Sequence, residues 1–195
     1  MPISLLGVLY KIITKVLSCQ IKEALPLVID ANQSAFLKGR GMLDNVLVAN
    51  EVIKELRRNG RSGLCLKVDY EKGYDSVRWD FLLYMLQKLG FHSKWINWVK
   101  GCLESASVFV LVNGSPTEEF RPTKGLRHGD PLTPFLFLIV AKGIAGFVRQ
   151  ALKENLIKGV KVRRNEVEVY VLQFVDDTRF MCEDSYTSVF SIKQF

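Results

Sequence analysis

Near the start of the chain, apolar residues recur at helical spacing: Leu5, Leu6, Leu9, Ile12, Ile13, Val16, Leu17 and Ile21. The period predicts an amphipathic helix from about Ser4 to Ala24, stopped by Pro26. Residues 30–41 lose the period and read as a loop, with Gly39 and Gly41 flanking Arg40. Helical spacing returns from Leu43 to Arg58 and ends near Asn59-Gly60. Leu64 to Val68 then reads as a strand running into Asp69. Two further helices are predicted, Trp79 to Leu89 and Lys94 to Leu103, with Gly90 between them. Ser107 to Val112 is a β-branched and aromatic strand, Asn113-Gly114 a hairpin turn, and Glu118 to Arg121 the return. A helix starting at Pro131 or Pro134 reaches about Asn155. Strands over 159–163 and 166–174 flank Arg164-Asn165, and Asp176-Asp177 form a turn before a last strand, Thr178 to Cys182. Hairpins mixed with helices predict an α+β fold rather than a doubly wound parallel sheet.

Composition narrows the picture. The chain has 195 residues, 48% hydrophobic and 24% charged, which excludes wholesale disorder. Lys and Arg total 27 against 20 Asp and Glu; the resulting charge of +7 hints at a polyanionic partner. This excess is spread along the chain, so a basic tail is excluded. The four cysteines show no CxxC pair, which argues against zinc and against a disulfide framework and points to buried free thiols in a reducing compartment. Lys11 and Lys15 interrupt the first apolar stretch, unlike a signal peptide. The longest apolar run, Phe135 to Ala141, is too short to span a bilayer and continues through Lys142 as a buried helix, so a soluble protein is expected.

The candidate chemistry lies where apolar strands end in carboxylates. One run is Leu64-Cys65-Leu66-Lys67-Val68-Asp69, the other Val171 to Val175 followed by Asp176-Asp177. Clustered carboxylates repel one another unless a cation joins them. Hard oxygen ligands of this kind suit magnesium, and two such ions support phosphoryl transfer. On that logic Asp69 and Asp176 hold the ions and Asp177 is a further ligand. An Asp-Asp pair at a hairpin turn also serves simply to solvate the turn or bond its backbone. Spacing alone leaves both readings open.

Five blocks in order go further. Pro2-Ile3-Ser4-Leu5 with Tyr10-Lys11-Ile12 is the first, and Gln33-Ser34-Ala35-Phe36 with Gly39-Arg40 the second. Lys67 to Val77 resembles polymerase motif A, Gly125 to Pro134 motif B, and Phe174-Val175-Asp176-Asp177 motif C. Together they resemble the reverse transcriptase domain of LINE-type (non-long-terminal-repeat) retrotransposons, especially those of plants.

The resemblance implies a right-hand polymerase, with a fingers-like segment over residues 1–62 and a partial palm over 63–195 whose antiparallel sheet packs against helices. It implies an RNA-directed DNA polymerase using two Mg2+ ions (or Mn2+), an RNA template, a DNA primer and deoxynucleoside triphosphates, at an intracellular site, nuclear or cytoplasmic, with no membrane. Asp69, Asp176 and Asp177 match the metal-binding aspartates. Tyr74 matches the aromatic residue under the incoming sugar, where a ring clashes with a 2′-hydroxyl. Gly125, Gly129 and Pro131 match the motif B loop and helix start, and Arg40 falls in a fingers-like block where a cation can meet triphosphate or template. As plain structure, Arg40 is a solvated loop arginine and Lys67 and Lys72 face solvent; as site residues the two lysines offset the carboxylates.

Several positions depart from the family pattern. His128 stands where motif B usually has glutamine, changing how template or nucleotide is positioned. Gly73 replaces an alanine beside Tyr74, Val175 replaces an alanine before the aspartates, and Arg179 occupies a usually apolar position. The family continues past motif C with a motif D lysine, a primer-gripping hairpin and a thumb, so the chain is expected to be truncated before motif D, with the thumb missing. The alternative function is a catalytically inactive remnant with at most weak, salt-sensitive nucleic-acid binding.

Overall fold

The computed structural model describes residues 7–70, 72–162 and 167–184. Expectations resting on residues 1–6, Glu71, the Arg164-Asn165 turn and everything after Asp184 lie outside these. The described chain is mixed helix and antiparallel sheet, as the pattern predicted. It packs as two compact units, each drawn from two stretches of chain: 1–28 with 72–140, and 29–71 with 141–195. A division at residue 62 follows motif order; these units follow packing, and segments from both sides of residue 62 enter each.

In the first unit, helix α1 covers Val8–Val28 and buries Thr14, Leu17, Ser18, Ile21 and Leu25 on one face. The two hydroxyls on that face bond back to the helix: Thr14 Oγ1 donates to Tyr10 O at 3.1 Å and Ser18 Oγ to Lys15 O at 2.7 Å. Pro26 does not stop α1, as the sequence reading expected, but lies within it. A helix-interior proline forfeits one backbone bond. Burial of Leu25 (0% exposed) and Ile29 (5%) on either side outweighs that loss. Helices α3 (Trp79–Lys88) and α4 (Ser93–Glu104) follow as predicted, joined at Gly90, whose φ of +82° suits a residue without Cβ. Their cores are Leu82, Leu86, Val99 and Leu103. The Asn113-Gly114 turn has both residues at positive φ, and it pairs β2 (Leu111–Val112) with β3 (Ser115–Pro116). The return strand therefore starts at Ser115 rather than Glu118, because a two-residue turn of this type leaves no room for a longer loop.

The second unit holds helix α2 (Met42–Arg58), strands β1 (Gly63–Val68), β6 (Val171–Phe174) and β7 (Asp177–Glu183), and the β4–β5 pair (Val160–Val162, Val167–Val169). Helix α5, Thr133–Lys153, begins in the first unit and ends in the second. The three-stranded antiparallel sheet has the order β1-β7-β6. Strand alternation sorts its two faces. Leu64, Val68, Val171, Phe180 and Cys182 pack with Ile144, Val148, Ala151 and Leu152 of α5. Leu172 and Met181, on the other face, pack with Val48, Ala49, Val52 and Leu56 of α2 and with Val160, Val162 and Val169.

The strand expected over 166–174 is broken at Tyr170, with β5 in one sheet and β6 in another. The break lets Val169 and Val171 both be buried although one lies on the β4–β5 ribbon and the other in the main sheet. The apolar run in α5 is long and apolar enough by length and composition to cross a bilayer, and just over half of it, 56%, is buried inside the protein. Cys19 and Cys65 are exposed and Cys102 partly so, which corrects the expectation of uniformly buried thiols; only Cys182 is buried.

Candidate active site

The three aspartates singled out by sequence belong to one sheet end. Val68 pairs with Thr178 in the antiparallel register, so Asp69 and Asp177, one residue further along each strand, leave the ladder side by side. Asp176 occupies the two-residue turn between Phe174 and Asp177, which are themselves paired. Val175, the other turn residue, has φ +57°. A β-branched residue in this left-handed region is strained, and the strain falls at the turn that carries two of the candidate carboxylates. Gln33 Oε1 accepts from Val175 N at 3.3 Å and from Ala35 N at 3.1 Å, bracing that turn from the loop before α2. Asp69 is exposed and Asp176 and Asp177 are half-buried. Burial raises the Tyr70 phenol above its usual range, with the Thr178 hydroxyl pulling the other way.

These residues meet one requirement of a divalent cation and miss another. Their oxygens are hard donors at a common edge. Among the described residues, however, no three His, Cys, Asp or Glu side chains converge closely enough to hold an ion as they stand. Asp177 is instead engaged by Lys67, whose Nζ lies 3.0 Å from Oδ1. The chemistry of the donors suits a hard cation, their spacing as it stands does not, and Lys67 is paired with one of the three carboxylates.

Residues 74–79 lock onto the loop at Gly125 and Leu126 within the first unit. Tyr74 O accepts from Leu126 N at 2.8 Å and Val77 O from Gly125 N at 2.7 Å, while Trp79 Nε1 donates to Gly125 O at 2.7 Å. Gly125 is required there: its φ is +91°, and a Cβ would stand 2.9 Å from the Asp75 carbonyl oxygen. The Tyr74 ring stacks on Phe137 with centroids 4.6 Å apart and tilts against His128 at 5.2 Å. His128 Nε2 lies 3.3 Å from Asp75 Oδ1, an ion-pair distance that lacks hydrogen-bond geometry. Gly129 is exposed, with φ +89°.

Behind this loop, the Tyr10 hydroxyl donates to Asp130 Oδ2 at 2.7 Å, and Leu132 N donates to Asp130 Oδ1 at 2.9 Å. The Arg127 guanidinium sits 4.5 Å from the Tyr10 ring centre and donates to Cys102 O at 3.0 Å. Burial, then the Asp130 charge, raises both the Tyr10 phenol and the Cys102 thiol. A cavity of about 160 Å³ opens among Tyr10, Trp79, Cys102, Arg127 and Asp130.

Arg40 has a definite structural task in the second unit. Its Nη1 donates to Asp30 O at 2.6 Å and Gln33 O at 2.9 Å, closing the loop before α2. The Asp30 carboxylate in turn takes Lys142 Nζ at 3.0 Å and Arg149 Nη1 at 2.6 Å. Gln173, 1% exposed, ties this loop to β6: its N donates to Asn32 O at 2.8 Å and its O accepts from Ser34 N at 3.1 Å and Asn45 Nδ2 at 2.9 Å. Asp30, Gln173 and Asp130 were missed as organising residues. Their partners lie over a hundred residues away, so no local spacing reveals them.

Residues 1–193 match the protein family described as reverse transcriptase (RNA-dependent DNA polymerase). The chain belongs to that family. Among its relatives is the transposon TX1 uncharacterized 149 kDa protein of Xenopus laevis, 30% identical over 94% of this chain and 14% of that protein. Another is the Pol polyprotein of the type-2 retrotransposable element R2DM of Drosophila melanogaster, 27% identical over 71% of this chain and 13% of its own length. This reverse transcriptase chain thus spans about a seventh of those proteins. Its fold is similar to part of telomerase: apo telomerase from Candida tropicalis, truncated from its C-terminal domain, superposes with a TM-score of 0.64 at 14% identity, over 93% of this chain and 35% of the other. Telomerase from Candida albicans, solved with a fragment of telomeric RNA, gives 0.62 at 10% identity over 94% and 32%. The family membership and the mixed helix and antiparallel-sheet architecture agree with what the motif order implied.

Proposed function

We propose that this chain is the catalytic core segment of an RNA-directed DNA polymerase of a retrotransposable element. The observation that carries the reading is the register that brings Asp69 beside the Asp176-Asp177 turn at one end of a single sheet. In this reading the three carboxylates hold divalent cations, magnesium in the first place. When bound, such ions activate an attacking hydroxyl and stabilise the leaving oxygen in phosphoryl transfer. The chain's own residues do the rest. Tyr74, fixed between Phe137 and His128, presents a rigid ring suited to reject a 2′-hydroxyl on the incoming nucleotide. Gly129 leaves backbone open to close approach by a base pair. The partners are an RNA template, a DNA primer and deoxynucleoside triphosphates, and the excess of basic residues suits their phosphates. Arg40, braced by two carbonyls through Nη1, contributes to phosphate binding only through its other nitrogens.

Primer extension on an RNA template with Mg2+ or Mn2+ tests the reading. Incorporation that disappears in Asp176→Asn supports it, and no incorporation by the unaltered chain across a range of salt and metal removes it. One observation favours a second reading, an inactive nucleic-acid-binding remnant: among the described residues no three carboxylates converge on a common point, and Lys67 engages Asp177. That reading predicts binding to RNA and DNA that weakens steeply with salt and is untouched by Asp176→Asn.

A further inference from the structure

We propose that Lys67 is a built-in cation that occupies Asp177 whenever no divalent ion is present and competes with the ion for that carboxylate. The inference rests on the metal-binding reading of the aspartates and adds a residue that regulates the same site.

The register supplies the reason. Lys67 pairs directly with Arg179 across β1 and β7, so two cations meet on one face of the sheet. Like charges directly opposite destabilise a strand pair. Strand alternation brings Asp69, two residues after Lys67, and Asp177, two residues before Arg179, to the same face. The result is a square of charges with cations at one edge and carboxylates at the other. Lys67 resolves it along the diagonal, with Nζ 3.0 Å from Asp177 Oδ1. Arg179 stands opposite Lys67 and so biases the lysine toward the aspartates.

The pair is built to be broken. The Lys67 side chain is 55% exposed and that of Asp177 36%, so solvent screens the attraction. A carboxylate oxygen facing an ammonium cannot also meet a divalent cation closely without the two positive charges repelling each other. Ion binding at Asp177 therefore works against the Lys67 pair, and the lysine raises the free metal the site needs.

The test is binding rather than turnover. Mn2+ affinity of the full chain is measured by calorimetry, or by the paramagnetic resonance signal of free Mn2+, for the unaltered protein and for Lys67→Met, Lys67→Arg, Asp69→Asn and Asp177→Asn. Circular dichroism of each variant checks that the fold is kept. Lys67→Met is expected to bind Mn2+ about two- to fivefold more tightly, the range set by a screened surface ion pair. Lys67→Arg should stay near the unaltered affinity, and the gain from Lys67→Met should vanish when combined with Asp177→Asn. Equal or weaker binding by Lys67→Met, while Asp69→Asn still weakens binding, overturns the proposal and leaves the metal reading standing. Mn2+ binding absent from the unaltered chain and from Lys67→Met alike removes the metal reading, and the proposal with it.

Discussion

The Tyr10 hydroxyl donates to Asp130 Oδ2 at 2.7 Å, joining helix α1 to the loop that starts α5. Asp130 is only 7% exposed, and its second oxygen is held by Leu132 N. Removing the phenol strands a buried carboxylate oxygen. Tyr10→Phe is therefore expected to cost ~1–3 kcal/mol of stability, read by urea denaturation. The two losses should couple, so that Tyr10→Phe combined with Asp130→Asn costs less than the sum of the single changes.

Gly125 combines a positive φ with a close approach to the Asp75 carbonyl oxygen, so alanine there meets two obstacles at once. Gly125→Ala should destabilise by ~1–3 kcal/mol. The Trp79 indole, which donates to Gly125 O, supplies a local probe: its fluorescence should shift in the variant.

At Val175 the expectation reverses. A β-branched residue at φ +57° gains from replacement by glycine. Val175→Gly should stabilise by about 1 kcal/mol, a rise of roughly 2–4 °C in Tm for a chain of this size. A fall in Tm would mean that valine packing outweighs the backbone strain.

Asp30 contributes to stability in acid. Burial pulls its carboxyl upward, but hydrogen bonds from Arg149 and Lys142 outweigh burial and leave it below the usual 3.8. A depressed folded value means the stabilisation is full above about 3.8 and is lost as pH falls through the lower folded value. Asp30→Asn should lower stability by ~1–3 kcal/mol at neutral pH and flatten the acid side of the stability curve, measured by thermal melts from pH 7 to pH 2.

The parts legible in the sequence were those set by local chemistry. Asn59-Gly60 ends α2, Asn113-Gly114 turns a hairpin, and an apolar strand delivers Asp69 to a sheet edge. What was not legible depends on distant packing. Pro26 is kept inside α1 by burial of its neighbours, and the break at Tyr170 follows from two sheets competing for one run of valines. The candidate site divides in the same way. Its aspartates and Tyr74 could be named from motifs, whereas the grip of Lys67 on Asp177 and the bracing of the turn by Gln33 arise only once the strands are in register.

The pairing of β1 with β7 also bears on how the chain folds. Each residue of β1 finds its partner more than a hundred residues later. During synthesis, β1 emerges with Leu64 and Val68 not yet covered and waits, unpaired, for more than a hundred residues to follow. Such late closure favours slow folding and exposes a sticky strand edge meanwhile. Nascent chains released before β7 should therefore be the aggregating species, held in solution by chaperones rather than by their own partial structure.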